Sequence, residues 1–104
     1  ACAHEFILGA PAPTLWRDIA LERHPVEVSV GTRSVTNGVG SNVLGDPRVA
    51  LTWLVNELSL MGISLKKDQI VTTGTVAIPS PVDPGDTVSA NFGSLGSVTA
   101  RFAL

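Results

Sequence analysis

Between Asp46 and Gly62 the apolar residues recur at three- and four-residue steps. Val49, Ala50, Trp53, Leu54, Leu58 and Met61 form one stripe, while Arg48, Asn56, Glu57 and Ser59 fall mainly on the other side. The spacing predicts a helix whose stripe lies on a sheet. Both ends are also legible: Asp46 suits the N-cap, Pro47 the first helical position, where a missing N–H costs nothing, and Gly62 the left-handed C-terminal cap.

Elsewhere the period changes to two. Val26-Glu27-Val28-Ser29-Val30 alternates as a half-buried strand does, Gly31-Thr32 suits a tight turn, and Arg33 to Thr36 returns, so a hairpin with one dry face is expected. Thr87 to Phe92 and Ser97 to Phe102, joined by Gly93-Ser94-Leu95-Gly96, read as a second hairpin. Short apolar runs predict further strands at Glu5 to Leu8 and Gln69 to Ile78. Glycine interrupts the latter at Thr72-Thr73-Gly74-Thr75, which marks either a bulge that bends the sheet or a place where a ligand approaches the backbone. Gly9 to Pro13 and Pro79 to Asp86 are loops by composition, with Pro84-Gly85 suited to the centre of a type II turn. Trp16 to Glu22 is irregular or a short strand, Asn37 to Gly45 is a glycine-rich lead into the helix, and Ile63 to Lys67 is a connection. There is no repeat and no internal boundary, so residues 1–104 are expected to form a single α+β domain.

Composition sharpens this picture in one respect. A hydrophobic share of 44% against 15% charged residues is high for so short a chain, whose surface normally carries more charge, so an apolar patch is expected to remain for a partner. A net charge of -2 without any basic run argues against nucleic-acid binding, and Lys66-Lys67 reads as a solvated turn. The single cysteine, Cys2, cannot form an internal disulfide, which makes a cytoplasmic location the default expectation. No apolar run approaches a bilayer span, and the opening residues lack a basic region and are broken by Pro11 and Pro13; neither a membrane partner nor a signal peptide is expected.

Few residues carry chemistry. Glu22 and His24 would share a strand face with Glu27 near, but without a third ligand at a diagnostic interval a solvated strand end is the stronger reading, and no metal site is assigned. His4 and Glu5 would point to opposite faces. Cys2 reads as a small buried thiol, and Asp86 as the side-chain cap of the Asp83 to Asp86 turn. In Thr72 to Thr75, hydroxyls and backbone N–H groups could bind a carboxylate or an enolate oxygen without adding charge.

Several motifs in register resemble one family. Gly45-Asp46-Pro47, Ala50-Leu51-Thr52-Trp53-Leu54, Asp68-Gln69-Ile70-Val71-Thr72-Thr73-Gly74-Thr75, Pro84-Gly85-Asp86-Thr87-Val88 and Phe92-Gly93-Ser94-Leu95-Gly96-Ser97-Val98 follow the order found at the end of the 2-keto-4-pentenoate hydratase and 4-oxalocrotonate decarboxylase family. Ala1-Cys2-Ala3-His4 and Phe6-Ile7-Leu8-Gly9 are similar to the stretch that follows that family's metal-binding half.

The resemblance implies a fumarylacetoacetate hydrolase-like fold, a bent mixed sheet rolled into a barrel-like shape, of which this chain would be the C-terminal half. Family enzymes use magnesium or manganese, held by acidic residues, to stabilise the enolate of 2-keto or 2-hydroxydienoate acids in aromatic catabolism. By the resemblance, those ligands and the family lysine precede Ala1, so no cofactor is expected in this chain. Thr73, Gly74 and Thr75 match the segment that contacts substrate, and Cys2 lies in a stretch lining the pocket. The implied protein is a hydratase-like portion without catalytic activity alone. It would retain small carboxylic acid binding and self-associate as a homo-oligomer; the competing expectation is a lyase completed by a metal-binding partner chain or a longer enzyme.

Overall fold

The computed structural model describes residues 4–104. Its centre is a four-stranded sheet of β1 (Pro25–Val30), β2 (Ser34–Val39), β3 (Thr87–Asn91) and β4 (Ser97–Arg101), in the order β2-β1-β3-β4. Both expected hairpins form. The first turns through Gly31-Thr32-Arg33, with Gly31 at φ 53°, and pairs Val30 with Ser34; the second turns through Gly93 to Gly96 and pairs Asn91 with Ser97. The β1–β3 contact joins them, with Val28 opposite Ala90 and Val30 opposite Val88. A mixed sheet is the expectation, but every pairing here is antiparallel and the edges β2 and β4 stay open.

Alternation separates the faces. Val26, Val28 and Val30 share one face with Val88, Ala90, Val98 and Ala100, while Glu27, Asn37, Asn91 and Thr99 lie on the other. Ser89 and Thr99 join hydroxyls across that polar face at 3.1 Å. Val26 and Val30, with Val43 from the loop before the helix, are the buried apolar side chains among the described residues.

The helix α1 (Pro47–Leu60) begins and ends where its caps predict. Asp46 Oδ1 accepts from the Arg48 backbone N–H at 2.8 Å. At the other end Gly62, at φ 72°, lets the Ile63 N–H reach the Leu58 carbonyl and its own N–H reach that of Ser59, closing a Schellman motif. Its placement differs from the expectation. No strand runs close along the helix backbone. Ala50, Leu54 and Leu58 are half-buried, but Val49, Trp53 and Met61 are exposed, Trp53 by 61%. Its covered side meets Leu44 and Val71 to Thr73.

Both extra strands are absent, for one reason. Neither Gln69 to Ile78 nor Glu5 to Leu8 makes a ladder, because a strand requires a backbone partner that these runs lack among the described residues, and the first run also bends at Val76-Ala77 and takes φ 133° at Gly74. Instead each passes close over the sheet at a glycine. A Cβ on Gly38 would fall 2.3 Å from the Val76 carbonyl oxygen, so that carbonyl passes over the face of β2, where Asn42 donates to it at 2.9 Å. A Cβ on Gly9 would fall 2.6 Å from Val98 Cγ2, which places the other run over β4. Around Trp16 to Glu22 the chain forms two short 3-10 turns, Thr14–Asp18 and Leu21–Arg23, rather than a strand.

Candidate functional site

Where the Val76 crossing brings the glycine-interrupted segment over the sheet, it borders an open cavity of about 290 Å³. Leu21, His24, Val26, Val43, Pro47, Thr73, Gly74, Val76, Phe92 and Leu95 line it. Each wall has a local cause. Gly40 passes so close under Leu21 that a Cβ would meet the Leu21 carbonyl oxygen at 1.8 Å, which stacks the Leu21–Arg23 turn on the turn Gly40–Asn42. Gly74 sits at φ 133°, a backbone conformation that L side chains rarely adopt, with its missing Cβ 3.2 Å from Val43 Cγ1. That conformation lays Thr73 and Gly74 against the cavity.

His24 closes the opposite wall. Its Nε2 donates to the Phe92 carbonyl, which assigns the proton to that nitrogen and ties the start of β1 to the second hairpin turn. Gly93 packs beside the ring, 3.5 Å from Nε2 if it carried a Cβ, and its N–H is held by Asn91 Oδ1 at 2.9 Å.

The charged groups nearest the cavity serve one another. Arg48 Nη2 reaches Asp46 Oδ2 at 2.7 Å and Glu22 Oε2 at 2.9 Å. The Arg48 side-chain hydrogen bonds hold the Asp46 carboxyl below the usual carboxylate range, helped by the Arg48 backbone N–H, and Asp46 raises the guanidinium in return. Among the described residues, these surface pairs engage the Arg48 guanidinium at the helix start. A second network lies at the hairpin tip: Asp86 Oδ2 accepts from the Asp83 N–H at 2.7 Å and pairs with Arg33, as the capping role of Asp86 requires.

The structure thus brings Thr73 and Gly74 together with His24, and separates other candidates. Thr75 is exposed and is not among the cavity-lining residues. Cys2 lies outside the described residues. Glu22 is taken by Arg48, His24 by Phe92, and Glu27 is exposed beside Asn37 on the polar face. Among the described residues no three His, Cys, Asp or Glu side chains converge, so the donor set does not fit the divalent cation that the resemblance implies. No step is assigned to one. Nor is any helix among them long and apolar enough to cross a membrane.

Sequence reasoning missed Val43, Phe92 and Leu95 as cavity walls. Phe92 lies 68 positions from His24, and no local pattern could pair them.

No protein-family model matches the chain. Curated relatives do. It is 33% identical over 98 residues to a 2-keto-4-pentenoate hydratase of Paraburkholderia phymatum, covering 94% of this chain and 37% of that protein. A 4-oxalocrotonate decarboxylase of Pseudomonas putida is 30% identical over 102 residues, covering 98% of this chain and 38% of the relative. A 2-oxo-hept-4-ene-1,7-dioate hydratase of Escherichia coli is 35% identical over 65 residues, 62% of this chain and 24% of that protein. Matched over nearly its whole length by proteins of both activities, and spanning little more than a third of theirs, the chain belongs to the 2-keto-4-pentenoate hydratase and 4-oxalocrotonate decarboxylase family.

Proposed function

We propose that this chain forms the neutral, substrate-facing wall of a hydratase- or decarboxylase-type pocket, binds a small 2-oxo carboxylic acid there, and does not carry out the lyase reaction alone. The observation that carries this reading is the cavity in which Thr73 and Gly74 face apolar side chains, with no convergent acidic set among the described residues. Hydroxyl and amide donors of this kind hold a carboxylate well. They do not supply the positive charge that makes an enolate accessible, which is worth several kcal/mol of barrier or more.

Two measurements test this. Titration with 2-oxopentanoate, followed by amide chemical shifts, is expected to perturb Thr73 and Gly74, and Thr73→Val, which keeps shape and removes the hydroxyl, to weaken binding about tenfold. Incubation with a 2-hydroxydienoate and magnesium or manganese is expected to leave the dienol absorbance unchanged. Turnover by this chain alone would end the reading.

A further inference from the structure

One ionisable side chain stands in the wall of the cavity. Apart from the Thr73 hydroxyl and backbone groups the lining is apolar, and His24 is the exception. A carboxylate drawn into such a place gives up hydration that hydroxyl and amide donors return only in part, so a positive charge beside it has a large effect. The charged side chains on the elements around His24 pair with one another. Glu22, on the preceding turn, pairs with Arg48 at 2.9 Å and lies 3.9 Å from Arg23, while Asp46 at the helix start pairs with Arg48 at 2.7 Å. Glu27, further along β1, lies on the polar face of the sheet. The turn Gly40–Asn42, the Thr73 to Val76 run and the turn Gly93–Leu95 carry no ionisable side chain.

The ring is held by one edge. Its Nε2 donates to the Phe92 carbonyl, which only accepts, so that nitrogen carries a proton whether the imidazole is neutral or charged. Gly93 packs along the same edge, its missing Cβ 3.5 Å from Nε2 and 3.6 Å from Cε1. Nδ1 makes no hydrogen bond among the described residues, and among them no buried side-chain nitrogen or oxygen lacks a partner. Nδ1 is therefore accessible. Proton uptake there leaves the Phe92 bond in place and makes it charge-assisted, so the imidazolium forms without moving the ring.

We propose that His24 is the cationic partner of the 2-oxo acid: the ligand binds together with a proton from solvent, Nδ1 takes up that proton, and Nδ1–H donates to a carboxylate oxygen while Thr73 and Gly74 donate from the facing wall. This rests on the reading of the cavity as a 2-oxo acid site. Histidine is the side chain whose charge ordinarily changes between about pH 5 and 8, a range in which a 2-oxo acid stays ionised. Ligand and proton therefore favour each other by the same factor. Occupancy also bears on the junction of β1 with the second hairpin turn, because the other ring nitrogen holds it.

The test titrates this chain with 2-oxopentanoate and follows amide chemical shifts. Binding is expected to be at least about fivefold tighter at about pH 5.5 than at about pH 8, the small end of such couplings, as suits a cavity open on one side. In the reverse direction, saturating ligand is expected to raise the titration midpoint of the His24 ring-proton signal by about 0.7 pH unit, the same fivefold read from the proton's side. The neutral 2-oxopentanamide, of the same shape, should bind without pH dependence. His24→Gln, which keeps an N–H for the Phe92 carbonyl and takes no charge, should bind the acid equally at both pH values. The other histidine, His4, lies beside Glu5, and His4→Gln should keep the fivefold difference. The ring titration is read on the unaltered protein and holds even where His24→Gln fails to fold. Equal affinity of the unaltered protein at both pH values, with an unmoved ring midpoint, would overturn the proposal and leave the cavity reading standing. No perturbation of Thr73 and Gly74 at either pH would defeat both.

Discussion

Substituting Gly38 by alanine tests how the segment bearing Thr73 is held. The new Cβ would stand 2.3 Å from the Val76 carbonyl oxygen and 2.9 Å from Ala77 Cβ. Both neighbours belong to another stretch of main chain or its first side-chain atom, so no flexible tip can swing aside. Relief requires the segment to lift by roughly 1 Å to reach ordinary contact. Overpacking of this kind costs about 1–3 kcal/mol. The lift also lengthens the Asn42 to Val76 hydrogen bond, now 2.9 Å, whose loss alone is worth about 1 kcal/mol. Urea unfolding followed by tryptophan fluorescence should therefore place Gly38→Ala about 2–3 kcal/mol below the wild type and Asn42→Ala about 1 kcal/mol below it. Since both act through the same carbonyl, the double variant should lose little more than Gly38→Ala alone, a coupling of about 1 kcal/mol. Additive losses, or a Gly38→Ala protein as stable as the wild type, would show that the segment is not seated on β2.

Three further outcomes are expected. Val30→Ala removes two methyl groups from a side chain that is 1% exposed, and should cost about 2–3 kcal/mol in urea unfolding; a loss under about 0.5 kcal/mol would mean that the dry face is not the core. Gly74→Ala must adopt φ 133° and press on Val43 Cγ1, so the 2-oxopentanoate-induced shifts at Thr73 should disappear while the β1–β2 hairpin amides keep their protection; unchanged ligand shifts would count against a wall built on that glycine. The Asp46 and Asp86 carboxyls are both held below their usual range, Asp46 first by Arg48 and Asp86 first by the Asp83 N–H and then by Arg33. Groups depressed in the folded state stabilise it fully above their unfolded value near 4 and lose that contribution as pH falls through the folded value, so the urea midpoint should be flat from neutral pH to about 5 and drop below about pH 4. Asp46→Asn should flatten part of that acid limb in the helical signal, and a midpoint that rises on acidification would contradict the pairing.

What was legible in the chain, and what was not, divides by the distance between partners. The helix ends could be read because Asp46 and Arg48, or Leu58 and Ile63, are within one turn of each other. The Asp83 to Asp86 turn is equally local: Gly85 takes φ 90°, as the third position of a type II turn demands, and Asp86 caps it. Both hairpins followed from alternation across a short loop. Gln69 to Ile78 misled for the opposite reason. Its residues are strand residues, but a ladder belongs to two segments, and nothing in this run says whether the second is present. The helix stripe has the same ambiguity, since periodicity reports that a face is apolar and not what covers it.

The cavity combines the two cases. Thr73 and Gly74 were singled out because glycine inside a strand-like run marks a close approach, and their matching to a family segment gave that approach a chemical meaning. What they face was not readable: Val43 contacts Gly74 across 31 positions and Phe92 bonds His24 across 68. A strand-like run without a ladder and a helix with exposed apolar residues on its outer side share one cause with the cavity walls: local pattern records that a face is apolar, and what covers it is decided by contacts distant in the chain.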